Sequence, residues 1–191
     1  AVFRTAAIRP GSTVAVIGCG GVGLNVIQGA LLAGAGRIIA VDQSEAKREL
    51  AQSFGATDFV DGSAGDAVAQ VTELTGGGVD YSFEAIGLKP TTEQSFAMLR
   101  PGGVATVVGM IPLGTSIELP GVDFMFEKRI QGSLMGSNQF RTDMPRYADL
   151  YLQGRLKLDE LVSAGIALDE VNSAFEEMQR GSIARSVIVF D

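Results

Sequence analysis

A glycine turn between two apolar runs, with an aspartate closing the second run, constrains this chain more than any other feature. Residues 13–17 read Thr-Val-Ala-Val-Ile and lead straight into Gly18-Cys19-Gly20-Gly21-Val22-Gly23. Short apolar runs closed by glycine suit strands buried on both faces, as in parallel sheets. Residues 22–33 are apolar nearly all round, with only Asn25 and Gln28 polar, which predicts a helix buried against a sheet. Gly34-Ala35-Gly36 stops that helix, and Arg-Ile-Ile-Ala-Val-Asp at 37–42 predicts a second buried strand. Gly18, Gly20 and Gly23 fit G-x-G-x-x-G, and Asp42 lies 19 residues beyond Gly23. In this context the pattern is a dinucleotide-binding fingerprint. Gly18 allows the tight turn, Gly20 lets the backbone approach a pyrophosphate, and Gly23 lets helix and strand pack closely. The free N–H groups and positive dipole end of the helix face the phosphates. Asp42 can accept hydrogen bonds from both adenosine ribose hydroxyls, and its charge disfavours a 2′-phosphate, so NAD is the expected cofactor. Lys47, five residues on, can reach the ribose or a phosphate.

The alternation continues. A helix is expected from the Ser44 cap to Phe54, a strand at 58–61, a helix at 66–74 and a strand at 79–85. A helix at 91–99 follows, then a turn at Pro101-Gly102-Gly103 and a strand at 104–108. Strand and helix alternating at this spacing mean βαβ units and a parallel sheet with right-handed crossovers. Residues 110–127 show no helical period and read as loop or extended chain. Beyond them we expect a strand at 129–135, a helix at 141–153, a helical turn at 159–162, an amphipathic helix at 169–180 and a terminal strand at 186–190.

Composition excludes several kinds of chemistry. The 191 residues carry 15 Lys plus Arg against 22 Asp plus Glu, a formal net charge of −7, which is the wrong balance for nucleic acid or an anionic membrane surface. No apolar run reaches the ~18 residues of a membrane span. With one Cys and no His, the chain has no internal disulfide, no Ser–His–Asp or Cys–His centre and no imidazole acid–base catalyst. A single cysteine fits a reducing compartment, so a cytoplasmic location is expected. Zinc needs three or four Cys, His or carboxylate ligands, so no metal site is expected here. Cys19 reads as a small buried filler, and Glu176 and Glu177 as solvated charge on a helix face.

The stretches PGSTVAVIGCGGVGLNVIQGA, IIAVDQSEAKRELAQSFGAT, DYSFEAIG, LRPGGVATVVGMIP and RIQGSLMGS carry a further reading. Together with the tail at 147–190 they resemble the coenzyme-binding half of medium-chain, zinc-dependent alcohol dehydrogenases, above all the class III, formaldehyde dehydrogenase-like branch. That resemblance implies an α/β Rossmann fold: a doubly wound, six-stranded parallel sheet with helices on both faces, plus a C-terminal helix–strand tail. It implies an NAD-binding domain at 8–137 and a tail at 138–191 that packs on a separate catalytic domain. That domain would hold the zinc ligands and the proton relay, and the chain in hand would bind cofactor without turning over substrate. Site residues follow from the same resemblance. Val22 and its neighbours Gly21 and Gly23 would donate N–H groups to the pyrophosphate. Ile86 would line the adenine and ribose pocket. Val108 and the backbone near Ser133 and Met135 would hold the nicotinamide carboxamide, and Arg185 would reach the pyrophosphate. Leu88 stands where some members place an arginine against adenine. The strand near Arg129 and Met135 would pair with its symmetry mate in a homodimer. A stand-alone NAD-sensing module and a zinc-free quinone reductase relative stay open at this point.

Overall fold

The computed structural model describes residues 1–179 and 185–190, which fall into two compact units, Ala1–Gln139 and Phe140–Asp191. The first unit opens with a helical turn, Val2–Ala6, and continues as β1 (Thr13–Ile17), α1 (Gly21–Leu32), β2 (Arg37–Asp42), α2 (Arg48–Ser53) and β3 (Asp58–Asp61). It then runs through α3 (Ala67–Thr75), β4 (Val79–Glu84), α4 (Lys89–Ala97), β5 (Leu99–Val107) and β6 (Arg129–Gly132). The six strands form one sheet in the order β3-β2-β1-β4-β5-β6, every pair parallel. This is the Rossmann order, with its topological switch between β1 and β4.

The core follows from the apolar runs. Val14, Ala15, Val16, Ile38, Ile39, Ala40 and Phe83 are fully or almost fully buried, as are Leu24 and Ile27 of α1 and Phe96 of α4. Each such large side chain contributes roughly 1.5–3 kcal/mol by leaving water. Cap chemistry trims the helices. Asp66 accepts hydrogen bonds from the N–H groups of Val68 (2.9 Å) and Ala69 (3.2 Å), and Gly76 ends α3 at φ 66°. Pro90 sits in the first turn of α4, where its missing N–H costs nothing, so that helix starts before the expected residue 91.

Other expectations need correction. The helix expected from Ser44 to Phe54 is a single tight turn, Glu45–Lys47, followed by the short α2. Pro101-Gly102-Gly103 does not precede a strand but bulges out of one. Val79 and Tyr81 of β4 pair with Leu99 and Val104 of β5, so residues 100–103 loop out between the two pairs. Gly102 turns that bulge at φ 77°. The loop region at 110–127 contains a helical turn, Gly121–Phe126. The strand expected to reach Met135 stops at Gly132, because Met135 (φ 49°), Gly136 (φ 70°) and Ser137 (φ 51°) are left-handed and cannot continue a strand.

The second unit contains α5 (Phe140–Leu152), β7 (Ala164–Ile166), α6 (Val171–Gln179) and β8 (Ser186–Ile188). β7 pairs with β8 in parallel, and the terminal strand ends at Ile188 rather than Phe190. The expected helix at 169–180 begins as a turn, Leu168–Glu170, and becomes α6 at Val171; Arg180 lies outside the described residues. On its expected apolar face Ala174 is buried, but Phe175 and Met178 are exposed. Among the described residues no helix is long and apolar enough to cross a membrane.

Candidate functional site

The site lies at the carboxyl ends of β1, β2, β4 and β5. After Ile17 the chain turns at Gly18, whose φ of 94° is left-handed, and the Gly18 N–H is held by the Val41 carbonyl at 2.8 Å. Gly20 caps α1 in an extended conformation, and no atom lies within 4 Å of the place a Cβ would occupy. Gly23 is the opposite case: a Cβ there would stand 1.7 Å from the Gly18 carbonyl oxygen. The turn therefore has one glycine required by backbone packing and another that leaves the mouth of the helix open. Gly21, Val22 and Gly23 occupy the first turn of α1, where backbone N–H groups have no acceptor within the helix. The Val22 side chain is half exposed.

Asp42 ends β2 and fastens this turn. Its Oδ2 accepts from the Cys19 N–H at 2.7 Å and from Lys47 Nζ at 3.0 Å, while Oδ1 accepts from the Ser44 N–H at 3.0 Å. A carboxylate has about four acceptor positions, so one remains on Oδ1. Lys47 is thus the charge partner of Asp42, not a solvated helix lysine. Cys19 is buried beneath them, with Sγ 3.9 Å from the Val41 carbonyl oxygen. Burial first, and the nearby Asp42 carboxylate second, push its thiol up to about 12. That is the wrong direction for a thiolate.

Across the switch, Ile86 follows β4 and faces the turn: a Cβ on Gly18 would fall 2.5 Å from Ile86 Cγ1. Ile86 and Leu88 are both about half exposed. Val108 follows β5, and its N–H donates to the Glu84 carbonyl at 2.8 Å. Ser133 follows β6; its N–H donates to the Val107 carbonyl at 2.9 Å, and its hydroxyl lies 3.0 Å from Thr5 Oγ1 and 3.2 Å from Ser137 Oγ. Ser133 is buried, whereas Met135 is almost fully exposed. The fold thus brings Gly18, Gly20, Gly21, Val22, Gly23, Asp42, Lys47 and Ile86 to one edge of the sheet. Val108 and Ser133 follow the two strands beyond. Arg185 belongs to the second unit, where its carbonyl accepts from the Ser163 N–H at 2.7 Å.

One participant was not legible as a site residue. Glu84, the last residue of β4, is fully buried, and its Oε1 takes three donors: the N–H groups of Ile86 (2.9 Å) and Gly87 (2.7 Å) and, at 2.8 Å, the Thr91 hydroxyl. The available signal was a carboxylate at the carboxyl end of an otherwise buried strand, three residues before a glycine.

The open helix mouth, the uncovered Gly20 and an acid at the end of β2 suit a dinucleotide. A zinc ion does not suit this chain's own donor set, which has one buried, protonated thiol and no imidazole. Fold and site together define a nucleotide-binding α/β domain. The chain belongs to the zinc-binding dehydrogenase family, which its sequence matches over residues 21–151.

Named relatives agree. The chain is 38% identical over 190 residues to a probable S-(hydroxymethyl)glutathione dehydrogenase of Schizosaccharomyces pombe, covering 98% of this chain and 50% of that protein. It is 37% identical over 199 residues to a class-3 alcohol dehydrogenase of Cereibacter sphaeroides, covering 100% of this chain and 53% of that protein. Among solved structures, benzyl alcohol dehydrogenase from Acinetobacter calcoaceticus superposes with a TM-score of 0.94 at 33% identity, over 99% of this chain and 52% of that one. A zinc-binding dehydrogenase from Sinorhizobium meliloti 1021, bound to NADP, gives 0.88 at 34% identity, over 97% and 54%. The chain spans about half the length of the curated relatives it matches.

Proposed function

We propose that this chain is the cofactor-binding half of an NAD-dependent alcohol dehydrogenase that oxidises an alcohol, or a thiol adduct of an aldehyde, by hydride transfer. The observation that carries the choice of NAD is Asp42, a carboxylate at the end of β2 with an acceptor position left on Oδ1. A 2′-phosphate placed there would meet that charge at close range. Lys47 offsets part of it but is already engaged by Oδ2. When bound, the dinucleotide supplies the hydride acceptor. The chain's own residues bind and orient it. The N–H groups of Gly21, Val22 and Gly23 face the pyrophosphate, Asp42 the adenosine ribose and Ile86 the adenine side, while Val108, Ser133 and Met135 fix the nicotinamide end. Arg185 is assigned to the pyrophosphate on resemblance alone. Zinc chemistry is assigned to no residue here, so the isolated chain is expected to bind cofactor without oxidising alcohols.

The experiment is a calorimetric titration with NADH and NADPH side by side, on the chain and on Asp42→Asn. The expected result is NADH binding at least tenfold tighter than NADPH, about 1.4 kcal/mol, with the gap narrowed in the variant. Absence of binding by either nucleotide, or a preference for NADPH, refutes the reading.

The same reading includes a cytoplasmic homodimer paired through β6. Its support is that β6 ends the sheet and offers an unpaired edge. Val122, Phe124, Met125, Phe126 and Leu134, on the segments flanking it, are exposed apolar side chains. Exposed apolar groups of the second unit, among them Phe140, Leu152 and Phe175, are assigned to contact with the catalytic domain. Sedimentation at micromolar concentration should give twice the chain mass of 20.0 kDa; a monomer refutes the dimer.

A further inference from the structure

The loop after β4 and the loop after β5 meet backbone to backbone. A Cβ on Gly109 would stand 2.2 Å from the Gly87 N and 2.6 Å from Glu84 Oε2. A Cβ on Gly87 would stand 2.6 Å from the Met110 carbonyl oxygen. No side chain separates the two loops, so their spacing is set by whatever holds the backbone from beneath. That group is Glu84. Its Oε1 gathers Ile86 N–H, Gly87 N–H and the Thr91 hydroxyl, and its backbone carbonyl accepts from Val108 N–H (2.8 Å) and Gly109 N–H (3.0 Å). Its Oε2 is buried against Gly109 without a hydrogen-bond partner among the described residues. An apolar side chain would fill the same space without that unpaired oxygen. It would forfeit the acceptor for three donors, two of them backbone groups in the loop that carries Ile86.

We propose that Glu84 is a positioning residue of the cofactor site: its carboxylate fastens the loop after β4 so that Ile86 lies against Gly18, and its Oε2, packed against Gly109, spaces the loop after β5, which the backbone carbonyl of Glu84 already holds. Glu84 is buried and does not touch the cofactor; its side chain acts through Ile86 on one side and through Gly109, next to Val108, on the other. The assignment rests on the cofactor reading above.

The test uses the full chain and the variants Glu84→Ala, Glu84→Gln and Gly109→Ala. Two readouts are followed: the NADH dissociation constant, and hydrogen exchange at the Ile86 and Gly87 amides without nucleotide. Loss of the one oxygen that accepts from three donors predicts NADH binding weakened about tenfold or more in Glu84→Ala, with faster exchange at both amides. Glu84→Gln keeps an acceptor oxygen and should restore slow exchange and binding to within about threefold of the parent. Gly109→Ala keeps the carboxylate but forces the loops apart, and should weaken NADH as Glu84→Ala does. If Glu84→Ala fails to fold, the Gln and Gly109 variants still decide. Parent-like binding in Glu84→Ala or Gly109→Ala overturns the assignment, as does a Gln variant as weak as the Ala variant. Failure of the parent chain to bind NADH refutes the cofactor reading instead, and exchange at Ile86 and Gly87 then judges the clamp alone.

Discussion

Gly20 and Gly23 share one fingerprint, yet the structure assigns them opposite sensitivities. At Gly23 an alanine would gain about 1 kcal/mol of helix propensity. Against that, its Cβ would lie 1.7 Å from the Gly18 carbonyl oxygen and 2.8 Å from the Gly18 carbonyl carbon, both backbone atoms. Gly18 cannot retreat easily, because its N–H is tied to Val41 and its φ is 94°. Relief needs a shift of more than an ångström in the turn or in α1. Overpacking a tight site costs roughly 1–3 kcal/mol and occasionally more, and a rigid backbone partner puts this case at the upper end. The net loss is then about 2–3 kcal/mol. At roughly 2–4 °C per kcal/mol for a chain of this size, the melting temperature of Gly23→Ala should fall by about 4–12 °C. Gly20→Ala meets nothing within 4 Å and has an ordinary φ of −85°. Its stability should change by less than about 1 kcal/mol, the usual effect of altering a helix cap. On the proposed reading its NADH affinity should nonetheless fall, because the methyl group would stand where the pyrophosphate is proposed to approach. Thermal denaturation and NADH titration of both variants check this. A Gly23→Ala chain as stable as the parent, or a Gly20→Ala chain with parental affinity, refutes the reasoning.

Two further outcomes follow from charge. Burial holds the Cys19 thiol protonated well above its ordinary value of 9.0, up to about 12; iodoacetamide at pH 8 should therefore label the chain in urea but not when native. Because the native form holds the thiol proton more tightly than the unfolded form, stability should fall as pH rises from about 9 toward 12, and Cys19→Ala should lack that component. Arg37 beside Asp58 holds that carboxyl below its ordinary 3.8, chiefly through the side-chain hydrogen bond. The contribution is therefore present above pH 3.8 and lost as pH falls below it. The pair is partly exposed, so Arg37→Ala should cost under about 1 kcal/mol at neutral pH and flatten the acid limb of the stability curve; a loss of several kcal/mol would contradict this.

Local signals made most of the fold legible. β1 and β2 are apolar runs whose burial on both faces follows from their composition, and the turn between β1 and α1 needs glycine at Gly18 and Gly23 wherever such a turn forms. The misreadings have nonlocal causes. The bulge at 100–103 exists because β5 must stay in register with β4 on both sides of it. β7 has three residues and no pattern of its own; pairing with β8 makes it a strand. β6 stops short because Met135, Gly136 and Ser137 turn left-handed, which no residue type there announces except Gly136.

The candidate site divides along the same line. By itself the sequence determined the glycine turn, the buried helix behind it, the acid at the end of the second strand, and the absence of imidazole from any chemistry this chain performs. Those properties reside in residue type and short spacing. Only the tertiary structure decided that Asp42 grips the Cys19 N–H as well as facing the site, and that Lys47 is its partner. It also decided that Glu84 ties together loops from two strands. Lys47, five residues from Asp42, reaches it because the chain turns tightly at Glu45–Lys47. The Cys19–Asp42 and Glu84–Val108 hydrogen bonds join segments more than 20 residues apart, so they depend on strand order and register, which no local pattern encodes.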